Sequence, residues 1–210
     1  MFGKLIETLK ANPKKIVFTE GTDARILEAA ARLLSGNFLT PVLVGNVDEV
    51  KAAAEKAGFN INGAIILDPA TYDKMDAMVE KMVELRKGKM TADECREVLK
   101  KGNYFGTMLV KMGEADCLLG GATYSTADTV RPALQLIKTK PGNKIVSSCF
   151  IMVRPGASGG NEVLAMGDCA ININPSEDEL VEIAVETAKC AQTFGVEPKV
   201  AFLSYSTKGS

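Results

Sequence analysis

Four short apolar runs, at residues 15–19, 41–44, 64–67 and 116–119, are separated by segments whose apolar residues recur at helical spacing. The helical patterns cover residues 23–35, 47–56, 72–87, 91–100 and 104–112. Strands separated by helices cannot close as tight hairpins; they join through crossovers, which brings parallel strands together. A parallel sheet needs both faces covered, so the expected fold is α/β, a three-layer αβα arrangement around a mostly parallel sheet. The turn signals agree: Gly36-Asn37, Gly45-Asn46 and Asp68-Pro69 each follow an element.

Past residue 140 the texture changes. A long strand is expected over residues 144–153, a glycine-rich hairpin loop over 154–160, and further strands over 163–166 and 169–173. Pro175-Ser-Glu-Asp-Glu179 opens a helix to about residue 194, with acidic residues where the helix dipole favours them. A last strand, 199–204, runs into a small polar loop over 204–210. A boundary near Pro141 divides the chain into a first α/β domain, 1–141, and the start of a second, 142–210. A doubly wound domain would next supply a covering helix, so the sequence reads as C-terminally truncated.

Composition removes several classes of function. With 210 residues and a net charge of -1, the chain lacks the basic excess of a nucleic-acid binder. It has no apolar run of the roughly 18 residues that would cross a membrane, and its N-terminus lacks a signal peptide's apolar core. Five scattered cysteines without a C-x-x-C pair fit reduced thiols in the cytoplasm. Histidine is absent, which excludes Ser-His-Asp and Cys-His mechanisms and histidine-held zinc; no metal site is read from the sequence. A base would have to be a carboxylate, lysine, tyrosine or cysteine.

The stretch Gly120-Gly-Ala-Thr-Tyr-Ser-Thr-Ala-Asp-Thr-Val-Arg131-Pro reads as a strand end, a turn of small residues, and a helix that opens on hydroxyls. A helix start offers unpaired N–H groups, and Arg131 adds a donor fork suited to phosphate. Ser125-Thr-Ala-Asp128 has the shape of a capping box, so the same residues could simply cap a helix. Pro132 keeps Arg131 near the helix start. Arg86, in Glu84-Leu-Arg-Lys87, is either a cationic last turn or an anion ligand. Glu20-Gly-Thr-Asp-Ala-Arg25 lies at a strand-to-helix turn and could line the same edge, though capping by Thr22 or Asp23 is the simpler reading. The loop 154–160 matches neither glycine-rich phosphate fingerprint, Cys149 reads as core, and Asp168 is either a turn residue or a cleft carboxylate.

Gly120–Thr139, together with Gly167-Asp-Cys-Ala-Ile-Asn-Ile-Asn-Pro175, Pro41-Val-Leu-Val-Gly-Asn46 and Leu203-Ser-Tyr-Ser-Thr-Lys-Gly-Ser210, resembles the acetyl-specific members of the phosphate acetyl/butyryltransferase family along the whole chain. The resemblance implies interconversion of acetyl-CoA and phosphate with acetyl phosphate and CoA. It implies a cytoplasmic homodimer of two domains folded like isocitrate and isopropylmalate dehydrogenases, with the active site in the interdomain cleft. Coenzyme A is then a substrate, with no tightly bound cofactor and no nucleic-acid or membrane partner. The family's phosphate and CoA contacts fall on Arg131 and Arg86, with the hydroxyls of Ser125, Thr126 and Thr129 beside them. Its catalytic aspartate and serine are expected beyond Ser210, so the catalytic residues stay unassigned here and the chain alone is expected to turn over poorly. A phosphate butyryltransferase, or a non-catalytic phosphate-binding or dimerisation fragment, are the alternatives.

Overall fold

The computed structural model of the chain describes residues 3–156 and 160–203. Among these, residues up to Lys138 form one compact unit and those from Thr139 onward another.

The first unit is built on four parallel strands, β1 (Lys15–Phe18), β2 (Thr40–Val44), β3 (Ile65–Leu67) and β4 (Cys117–Leu119), in the order β3-β2-β1-β4. Alternation along the strands sends their side chains to two separate cores. Val17, Val42, Val44 and Leu118 pack with α4 (Met75–Arg86), α5 (Ala92–Leu99) and α6 (Gly102–Lys111). Ile16, Phe18, Leu43 and Ile66 pack with α2 (Ala24–Gly36) and α3 (Val47–Ala57). Helices thus cover both faces, as the continuous apolar strands require. The cover stops short of β4 on the α2 side: Leu119, beside Phe18 in the ladder, is 52% exposed.

Helix ends follow local chemistry. Asp23 caps α2 by accepting from the Arg25 N–H, which decides between the two capping candidates. Asn46 caps α3, and Thr91 with Glu94 forms a reciprocal capping box on α5. At the other ends, Asn37 and Gly58 take left-handed conformations. Helix α1 (Gly3–Ala11) was not expected from the sequence.

The seventh helix, α7 (Thr126–Pro132), continues into a π-helical turn, Ala133–Ile137. Proline has no N–H, so Pro132 leaves the carbonyl of Asp128, four residues earlier, without its helical donor. The half-amide of Asn103 fills that place, its Nδ2 donating to Asp128 O at 2.8 Å. Asn103 is buried at the start of α6, so the defect in one helix is repaired by another.

The second unit holds an antiparallel hairpin, β5 (Cys149–Pro155) with β6 (Asn161–Gly167), and α8 (Glu177–Thr193), which packs against both strands. The expected hairpin therefore forms; residues 157–159 of its loop lie outside the described residues. The strand expected from 144 begins only at Cys149, because the Lys144 and Ile145 amides donate to the Glu182 carboxylate on α8. No strand forms over 169–173, since Asp168 draws the amides of Ala170, Ile171 and Asn172 onto its side chain. Residues 199–203 pair with no described strand, and the polar loop 204–210 lies outside the described residues.

Candidate functional site

Strand order locates the crevice. From β1 the chain steps to β2 and β3 on one side, then crosses to place β4 on the other side of β1. In open parallel sheets, ligands bind beyond the carboxyl ends of the two strands flanking such a reversal, where the connections diverge. Here those strands are β1, leading into residues 19–25, and β4, leading into residues 120–125.

The two loops are joined through Glu20. Its Oε1 accepts from the Thr123 amide at 2.6 Å, the Tyr124 amide at 3.1 Å and the Thr123 hydroxyl at 3.2 Å. Its Oε2 accepts from the Gly121 amide at 3.2 Å and the Thr19 hydroxyl at 3.0 Å. Burial opposes the charge of Glu20, but the Thr123 and Tyr124 amides outweigh it with the two hydroxyls, and the pKa falls below the usual value. Five donors fill the acceptor capacity of a carboxylate, so Glu20 is neither a proton acceptor nor a ligand site. Arg25 adds a second tie, its Nη2 donating to Ala122 O at 2.6 Å while also pairing with Asp23. Backbone approach is close throughout. A Cβ on Gly102 would stand 2.5 Å from Thr19 O, and one on Gly120 2.6 Å from the Thr19 hydroxyl.

These contacts show where free donors remain. The N–H groups around Gly121 face Glu20 and are spent. Ser125 caps α7, accepting from the Asp128 N–H at 3.1 Å and donating to the Asp128 carboxylate at 2.6 Å. Thr129 donates back to Ser125 O at 3.2 Å, and Thr126 stands exposed on the first turn. Tyr124 turns its hydroxyl toward the first amides of α6; burial, then the Glu20 charge, raises its pKa.

The arginines divide sharply. Of six in the chain, Arg25, Arg32, Arg96 and Arg154 each pair with a carboxylate. Arg86 and Arg131 pair with none among the described residues. Arg131 is exposed on α7. Arg86 ends α4, half-buried, and its Nε is a buried donor with no partner. An orphaned guanidinium N–H is costly in the free protein and is what an incoming anion can satisfy. Ser125, Thr126, Thr129 and Arg131 share one helix, and α4, which carries Arg86, packs against the π turn continuing that helix.

In the second unit, Asp168 is a turn residue. Its carboxylate accepts from the Ser148 hydroxyl and amide, from the Ala170, Ile171 and Asn172 amides, and from the Asn172 side chain. Burial works against the charge, yet these donors hold the pKa far below the ordinary carboxylate range. Such a group is a poor base. Burial, with Cys190 next in effect, pushes the Cys149 thiol up to about 11, so it stays protonated at neutral pH and does not serve as a thiolate.

Sequence reasoning passed over Asn103 and gave Glu20 no role of its own. The position of Glu20 at a strand's carboxyl end is a usable signal. Asn103 carries none, because its partner is a carbonyl 25 residues away.

The first unit thus has a parallel α/β fold with a crevice at its strand-order reversal, and two of its arginines lack a carboxylate partner among the described residues. The chain belongs to the family described as Phosphate acetyl/butaryl transferase, which it matches over residues 1–210. It is 49% identical over its whole length to the phosphate acetyltransferase of Bacillus subtilis and spans 64% of that protein. Among solved structures it is similar to a phosphotransacetylase from Streptococcus pyogenes, with a TM-score of 0.91 and 47% identity over 100% of this chain and 63% of the other. It is also similar to the EutD phosphotransacetylase from Staphylococcus aureus, with a TM-score of 0.86 and 46% identity over 98% and 61%. The chain thus spans less than two thirds of the length of these relatives. No helix among the described residues is long and apolar enough to cross a membrane.

Proposed function

We propose that this chain carries the phosphate- and CoA-facing part of a phosphate acetyltransferase site, for the reaction acetyl-CoA + phosphate = acetyl phosphate + CoA. The observation that carries the reading is that Arg86 and Arg131, alone of six arginines, have no carboxylate partner among the described residues. Family membership and the names of the similar proteins support it.

In the direction of acetyl-CoA formation, the CoA sulfur attacks the acetyl carbonyl, the C–O bond to phosphate breaks, and the thiol proton passes to a carboxylate base. Arg131 and Arg86 hold the phosphoryl oxygens as charge collects on the leaving group, with Ser125, Thr126 and Thr129 lining the approach. Glu20, the carboxylate at the crevice, is saturated with donors and is not that base. The same reading takes 1–141 and 142–210 as parts of two α/β domains of the isocitrate dehydrogenase type, in a cytoplasmic homodimer.

The test is to titrate the 210-residue protein with phosphate and acetyl-CoA and to assay acetyl phosphate plus CoA for thioester formation. Saturable binding with little turnover is expected. Absence of binding would remove the site, and rapid turnover would place the base within the chain.

A further inference from the structure

The β1/β4 crevice is where a ligand would be expected, yet its amide cradle already holds an anion. That anion is the protein's own Glu20 carboxylate, inserted from the β1 loop into the N–H groups of Gly121, Thr123 and Tyr124. We infer that Glu20 is a positioning residue: it locks the 120–125 turn and so fixes the direction in which α7 presents Arg131. The inference rests on the function proposed above for Arg131.

The geometry leaves the turn few other ways to hold its shape. Gly121 sits at φ 105°, in the region that favours glycine, and its N–H points at Glu20 Oε2. The Thr123 and Tyr124 amides both end on Oε1, immediately before the Ser125 cap that starts α7. Arg25 pins the carbonyl between them, Ala122 O, so donors and acceptor of the turn are all tied to the β1 side. Thr19 orients the carboxylate from behind, and only a glycine at 120 leaves room for its hydroxyl. Within its first turn, α7 is held independently by Asn103 on Asp128 O, with Arg131 beyond that contact. A loose turn would therefore pivot the helix about Asn103 and move the Arg131 guanidinium, while leaving the sheet and both cores intact.

Glu20→Gln separates this role from simple folding. It keeps an oxygen for Thr123 and Tyr124 but turns an NH2 group toward the Gly121 amide, setting donor against donor, while the Thr19 hydroxyl can reverse its role and accept. Glu20→Asp, one methylene shorter, serves as the second variant should the first fold poorly. The readouts are amide hydrogen exchange at Gly121, Thr123 and Tyr124, and inorganic phosphate binding by calorimetry, with Arg131→Ala measured alongside. Faster exchange at those amides, unchanged exchange in β1 and β2, and phosphate binding weakened about tenfold are expected. Unchanged exchange at the turn would overturn the inference. Faster exchange with unaltered phosphate binding, while Arg131→Ala weakens it, would also overturn it. If neither variant affected phosphate, the proposed function itself would fall.

Discussion

Asn103 Nδ2 lies 2.8 Å from the carbonyl oxygen of Asp128, the acceptor that Pro132 leaves unserved inside α7. Two residues on different helices thereby correct a fault created by a third. Asn103→Ala should cost about 1–3 kcal/mol, the penalty for an unpaired carbonyl out of water. In a Pro132→Ala background, residue 132 regains an N–H that can reach the same oxygen. Denaturant melts of the two single variants and the double variant should therefore give a smaller penalty for Asn103→Ala in the second background. Equal penalties would mean that Asn103 acts through something other than this carbonyl.

Asp168 makes a comparable repair in the second unit, where one carboxylate gathers the Ser148 donors and three consecutive amides. Its folded pKa is depressed, so its contribution is complete above the unfolded value near 3.9 and is lost only as pH falls through the lower folded value. Asp168→Asn should destabilise by more than about 2 kcal/mol at neutral pH, as expected for losing charge-assisted bonds to several donors. Amide exchange at 170–172 should rise more than at β1.

Glu186 gives a pH dependence with a defined window. Lys140 first and Lys189 second hold its pKa down to about 2. The sign follows: stability from this cluster is present above the unfolded value near 4.3 and disappears as pH drops from about 4 to about 2. Glu186→Gln should be less stable than the parent at pH 7, and the difference should shrink through that interval. A difference that stayed constant from pH 7 to pH 2 would show that the ion pairs are unimportant.

The parallel sheet and its crossovers were legible because β1 and β2, at the centre of the sheet, are covered by helices on both faces, and continuous apolar runs report that directly. Helix ends were legible where a cap is local, as at Asp23 or Ser176. The second unit was harder to read. Its apolar segments at 144–148 and 169–173 look like strands, but their amides are taken by Glu182 and Asp168, long-range partners that periodicity does not register. For the candidate site, context in the sequence pointed to Arg131, whereas Arg86 entered only through the family resemblance. The reason to prefer them, their lack of carboxylate partners, emerges only once the other four arginines are seen to be paired. The same holds for the Gly120-Gly121 turn. Sequence suggests an open cradle for an external anion, whereas the folded chain has filled it with Glu20.

The central claim is that Arg131 and Arg86 are the phosphate ligands, and calorimetric titration of inorganic phosphate into the parent, Arg131→Ala and Arg86→Ala tests it most directly. Each charge-assisted bond is worth roughly 1.5–3 kcal/mol, so affinity should fall about 10–100-fold for Arg131→Ala and by a similar factor for Arg86→Ala. Melting temperatures should stay near the parent's, since neither arginine gives up an ion pair within the described residues. Unchanged phosphate affinity in both variants would contradict the account.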